Sequence, residues 1–129
     1  MNPPIIVTRD PKESFVTLKF VGDLTSDRVA DFKAELQVLS VTILNTFNET
    51  GKKLHVLLDM SEFTGNYSLE SLNALVEFAK KDAPYIERTA SFGGSDKVRM
   101  AGEIATTLAN RDNIKLFETK EEALTWLSQ

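Results

Sequence analysis

The chain has 129 residues, 42% hydrophobic and 26% charged, with a formal charge of −4 and no cysteine. That length suits one domain with a core of its own, and the acidic balance argues against a nucleic-acid partner or an electrostatic hold on anionic membrane. Without cysteine there is neither a disulfide nor thiol chemistry, which is compatible with the cytoplasmic setting expected here.

The N-terminal "MNPPIIVTRD" lacks a basic segment leading into an apolar core, so no signal peptide is expected. No apolar run reaches the roughly 18 residues of a membrane span. After Pro3 and Pro4, "IIVTR" is a short strand, and "DPKES" is a turn cluster. "SFVTLKFV" alternates, with Val16, Leu18 and Phe20 on one face, which predicts an antiparallel partner for the first strand, ended by Gly22. A long helix follows over "LTSDRVADFKAELQVLSVTILNTFNETG", capped by Thr25 or Ser26 and stopped by Gly51. Val29, Phe32, Leu36, Leu39, Ile43 and Phe47 form its apolar stripe. Val38, Val41 and Leu44 lie off that stripe, open to three readings: packing under a neighbouring element, a dimer contact, or a cavity wall.

"KLHVLLD" reads as a strand buried on both faces, followed by a polar loop from Asp59 to Ser68. "SLESLNALVEFAKKDA" is a helix capped by Ser68, with Leu69, Leu72, Val76 and Ala79 inward, and it closes before Pro84. "IERTASFGG" is a strand ending in Gly93 and Gly94. Ser95 caps the helix "SDKVRMAGEIATTLANR", "NIKLF" is the last strand, and Thr119 with Glu122 forms a capping box for "TKEEALTWLSQ". The order is β-β-α-β-α-β-α-β-α, which predicts a mixed α/β sheet of about five strands, an N-terminal hairpin and then parallel crossovers, in one domain over 1–129.

No catalytic set emerges from the residues. His55, the only histidine, sits in a predicted strand four residues before Asp59, roughly 13 Å away at strand rise and too far for a hydrogen bond. One imidazole and no thiol make a poor metal site, and no cofactor is implied. "FGGSDKVRM" offers glycines and a helix N-terminus to an anion, but Asp96 opposes one, and a tight strand-to-helix turn explains the stretch. Topology places a ligand site beyond the carboxyl ends of the parallel strands. There Asp59, Phe63, Tyr67, Phe92, Gly93, Gly94 and Ser95 are expected to meet, with Phe63, Tyr67 and Phe92 serving either as an apolar, aromatic lining or as core. Thr89 and Ser91 are less apolar than a buried parallel strand requires, and mark either the side of a small cavity or close contact with a helix.

Three stretches carry a resemblance: "KKLHVLLDMSEFTG", "GDLT" and "IKLFETKEEALTWLS". With the element order, they resemble the SpoIIAA-like branch of the STAS superfamily, also described as STAS/SEC14-type. The resemblance implies a small bacterial domain without established chemistry, binding an apolar or lipid-like ligand, a protein partner or a membrane surface. In the anti-sigma-factor antagonists of that superfamily, an Asp-Ser-Ser-Gly run at the start of the second helix carries a phosphorylated serine. This chain has "NYSLESL", where Ser68 approaches that position without the paired serine or the glycine, and Tyr67 replaces the acidic residue. The sequence reading is therefore a non-enzymatic homodimer that binds a small apolar or amphipathic ligand or a protein partner. The alternative is a signalling module switched at Ser68.

Overall fold

The computed structural model describes residues 3–9 and 15–129. The turn cluster "DPKES" lies outside them. Five strands form one sheet in sequential order: β1 (Ile5–Arg9), β2 (Phe15–Leu24), β3 (Leu54–Tyr67), β4 (Ile86–Phe92) and β5 (Ile114–Phe117). β1 pairs antiparallel with β2, and the remaining three pairings are parallel. Four helices complete the fold: α1 (Val29–Thr50), α2 (Leu69–Lys81), α3 (Asp96–Ala109) and α4 (Lys120–Leu127). The mixed sheet, the hairpin and the element order are those the periodicity predicts.

Right-handed crossovers between successive strands send α1, α2 and α3 to the same face of the sheet. Their core there is built from Val16, Leu18 and Phe20 of β2, Leu54, Val56 and Met60 of β3, and Phe32, Leu36, Leu39 and Ile43 of α1. Phe20 sits edge-on to both Phe32 and Phe63, with ring centroids 6.1 and 6.2 Å away. α4 covers the opposite face, where Ala123 and Leu127 pack on Leu57 and Ala90. Arg88 fixes the end of α4 by donating to the carbonyls of Trp126 and Gln129 at 2.8 and 3.1 Å, and its guanidinium lies over the Trp126 ring.

Several local expectations change. β2 continues past Gly22 to Leu24, and the polar loop after Asp59 is instead strand, since β3 runs to Tyr67. The extension is irregular: Lys19 and Val21 face Asp59 and Glu62, while Gly22 and Leu24 face Phe63 and Tyr67, so β3 carries the extra residues of two bulges. Bulges break the alternation that marks a strand, which is why "SEFTGN" reads as loop. Cross-strand bonds hold it, because Asp23 accepts from Thr64 Oγ1 and from Asn66 Nδ2 at 2.5 and 3.0 Å. Those two donors hold the Asp23 carboxyl below its usual range.

α1 is preceded by a 3-10 turn over Ser26–Arg28, and neither Thr25 nor Arg28 makes a side-chain cap; the Thr25 hydroxyl bonds to Asp27 instead. Leu69, placed inward by spacing, is 70% exposed in the first turn of α2, and Ser71 takes the buried position. Val38, Val41 and Leu44 are exposed, so among the described residues α1 has no neighbour covering that side.

Ser40 of α1 donates to Asp82 Oδ2 at 2.8 Å, joining α1 to the end of α2 in a buried contact. Burial pushes the Asp82 carboxyl up from its ordinary 3.8, against the Ser40 hydrogen bond and the charges of Lys81 and Arg111. Its stabilising contribution is therefore complete below about pH 3.8 and is lost as pH rises through the raised folded value. Asp82→Asn keeps an acceptor for Ser40 and does not ionise. Chemical denaturation across pH 3–8 is expected to show a flatter profile for this variant and greater stability than wild type at neutral pH.

Candidate functional site

The carboxyl end of β4 and the stretch of β3 beside it bring only part of the expected set together. Asp59 lies in register with Phe92, and its Oδ1 accepts from the backbone N–H and hydroxyl of Ser61 at 3.0 and 2.6 Å, a local turn. Gly93 and Gly94 follow, with φ of 81° and 87°. A Cβ on Gly93 would stand 3.3 Å from Ser61 N, and one on Gly94 would stand 2.6 Å from Val98 Cγ1. Both glycines thus serve close packing of the β4–α3 turn on β3. Ser95 caps α3 by accepting from Val98 N at 3.4 Å. The nearby cations already have partners: Lys97 donates to Asn66 Oδ1, and Arg99 lies 3.4 Å from Glu118 and 3.7 Å from Asp96.

The aromatic residues do not converge. Phe63 is buried beside Phe20, and Tyr67 packs on that same core under α1–α3. Phe92 faces the other way, into the cluster beneath α4. The sheet separates them.

Ser68 caps α2. Its Oγ accepts from Ser71 N and donates to Ser71 Oγ, both at 3.1 Å. His55 is half-buried on β3, and burial followed by the charge of Arg88 moves its imidazole below 6.5. Among the described residues, no three His, Asp or Glu side chains lie close enough to hold a metal ion.

A different site appears on the helix-covered face. Between β2–β5 and the helices lies a cavity of about 90 Å³, walled by apolar side chains that include Leu18, Leu58, Leu75, Phe78 and Ala105. A second space of about 40 Å³, reaching Phe63, Tyr67 and Ser71, shares Phe20, Met60, Leu75, Gly102 and Ala105 with it. Leu58 and Ser91 lie in the interior strands β3 and β4, where full burial is the rule, yet both are only half-buried. To this cavity α3 presents Gly102, Ala105 and Thr106, and to the second space Ala101, Gly102 and Ala105, so small side chains dominate its contribution. Few polar groups reach the first cavity: Thr89, Ser91, Thr106 and Arg111. Sequence reasoning singled out Thr89 and Ser91 but missed Leu58, Gly102, Ala105 and Arg111. The small residues on α3 were a legible signal, whereas Arg111 had none.

A hairpin followed by one-directional parallel crossovers defines a mixed α/β module with a SpoIIAA-like order of elements. Residues 15–128 match the SpoIIAA-like family, and the chain belongs to it. No curated protein matches the sequence. Among solved structures, it is similar to an uncharacterized DUF3478-family protein with a SpoIIAA-like fold from Shewanella loihica PV-4. That match has 23% identity and a TM-score of 0.64, covering 95% of this chain and 91% of that one. It is also similar to the anti-sigma factor antagonist SpoIIAA in its unphosphorylated form, at 12% identity and a TM-score of 0.61, covering 96% and 97% of the two chains. The protein TM1081 is a further match, at 16% identity and a TM-score of 0.60, covering 100% and 90%. At these identities, the likeness is one of fold.

Gly94→Ala tests the packing role of the glycine pair. A methyl group there meets Val98 at a φ that side chains rarely adopt. Denaturant unfolding is expected to show a loss of about 1–3 kcal/mol.

Proposed function

We propose that this SpoIIAA-like domain is a non-enzymatic binding module that takes a small apolar or amphipathic ligand into the space between α2, α3 and the sheet. The observation that carries the reading is the incomplete burial of Leu58 and Ser91, interior-strand residues beside an apolar cavity. Close-packed interiors leave few voids larger than a water molecule. A cavity lined by Leu, Phe and Ala side chains holds water poorly and favours apolar occupants. The half-buried catalytic candidate His55 has no acid–base partner in hydrogen-bond contact among the described residues. Asp59, Phe92, Gly93, Gly94 and Ser95 line neither space, while Phe63 and Tyr67 line the second. The rival reading, a switch at Ser68, has less support because the Ser68 oxygen already serves the first turn of α2.

Ala105→Leu places a larger apolar group in the shared wall of both spaces. The variant is expected to fold with wild-type secondary structure and to bind 1-hexanol, measured by ligand-observed NMR, at least tenfold more weakly. Unchanged binding would remove the cavity from the reading.

The module is further proposed to act in the cytoplasm as a homodimer. Supporting a second copy is the exposed stripe of Val38, Val41 and Leu44 on α1, with exposures of 62%, 50% and 40%. No helix among the described residues is long and apolar enough to cross a membrane. Val41→Lys is expected to shift the sedimentation coefficient from dimer to monomer, while a monomeric wild type would set the dimer aside.

A further inference from the structure

We infer that the ligand of this cavity is an apolar monocarboxylate whose carboxylate pairs with Arg111. The inference rests on the cavity being the ligand site and adds the chemical class of what fills it. Arg111 is the one charged side chain in a cavity wall that is otherwise apolar apart from the hydroxyls of Thr89, Ser91 and Thr106. Its Nε donates to Asn113 Oδ1 at 2.9 Å and its Nη2 to Thr89 Oγ1 at 3.3 Å. Asn113 is itself oriented, because its amide donates to the carbonyls of Ile86 and Glu87 at 3.3 and 2.9 Å. Its backbone carbonyl receives Thr89 N at 2.9 Å. The guanidinium is thus held in one orientation by an anchored amide and a strand hydroxyl.

A guanidinium carries five N–H donors, so about three remain for another acceptor. Among the described residues, no carboxylate lies within ion-pair distance of Arg111. Asp112 and Asp82 act on it only through space. Burial disfavours its charge, and a bound carboxylate would supply the missing counter-charge in the bidentate geometry that arginine favours. An apolar cavity of about 150 Å³ accommodates benzene, so spaces of about 90 and 40 Å³ suit a tail of about six carbons rather than a long acyl chain. From Arg111, that tail would run over Leu58 towards Phe20 and Leu75.

Sodium hexanoate and 1-hexanol share a chain length and differ in the charged head. Titration of the full chain, followed by ligand-observed NMR, is expected to show at least tenfold tighter binding of hexanoate. Arg111→Met, which keeps a long apolar stem, should bring hexanoate to the level of hexanol and leave hexanol unchanged. Equal affinity for the two probes in wild type overturns the carboxylate assignment while leaving the cavity as a binding site, and this comparison requires no variant to fold. A hexanoate preference that survives in folded Arg111→Met also overturns it. If neither probe binds, the cavity reading itself fails along with the inference.

Discussion

Right-handed crossovers taken always in the same direction are the constraint on which this molecule depends. Each step from β2 to β5 moves one place across the sheet, so three consecutive helices share one face and must divide it among themselves. α1 fills its share with Phe32, Leu36, Leu39 and Ile43. The N-terminal end of α3 is drawn close to β3, where Gly65 and Gly94 lie against Lys97 and Val98. Farther along, Gly102 lies close against Leu116 and Ala105 carries only a methyl group, so neither fills the space over Leu58 and Ser91. The cavity follows from a helix pinned tightly at one end and carrying small residues in its middle.

The opposite face has only α4, and its small core is apolar in a different way. Phe92 and Phe117 belong there, with Trp126 tilted against Phe117 at a centroid distance of 5.8 Å. A sheet sends alternate side chains to opposite faces, so Ser91 and Phe92 cannot serve one site. The same alternation places Thr89 and Ser91 together on the helix side, with Ala90 between them facing α4. One pleat thus separates the cavity wall from the aromatic packing of the back face.

Polar chemistry near the cavity is sparse and partly pre-empted. Ser68 is used by a helix end, and the cations of the strand-end rim already have partners. Asp82 is buried against Ser40 between α1 and α2. Arg111 differs because its hydrogen bonds orient it without neutralising it. A guanidinium fixed by an amide and a hydroxyl retains both its charge and most of its donors. Such a group suits recognition better than proton transfer, because it stays protonated throughout the ordinary pH range.

Much of the architecture was legible in the residues because local physics decides it. Alternation in "SFVTLKFV", the apolar run "LHVLL", the helical stripe from Phe32 to Phe47, and the caps at Ser68, Ser95 and Thr119 each act within a few residues of chain. The left-handed stop at Gly51, with φ of 69°, is of the same kind. The resemblance to SpoIIAA-like domains was carried by such local strings. What the sequence could not reveal depends on partners distant along the chain. The bulged end of β3 exists because β2 continues beside it, and a bulge erases the period that would announce a strand. The aromatic residues near the strand ends part company because of pleat parity summed over two strands. Arg111 reaches the cavity only because Thr89, Asn113 and α3 meet there. By itself, the sequence determined which segments are helix and strand and in what order, since those choices rest on near-neighbour periodicity and capping. Only the tertiary structure decided where the molecule is hollow, because a void is the difference between side-chain volumes contributed by several elements and the space their packing leaves.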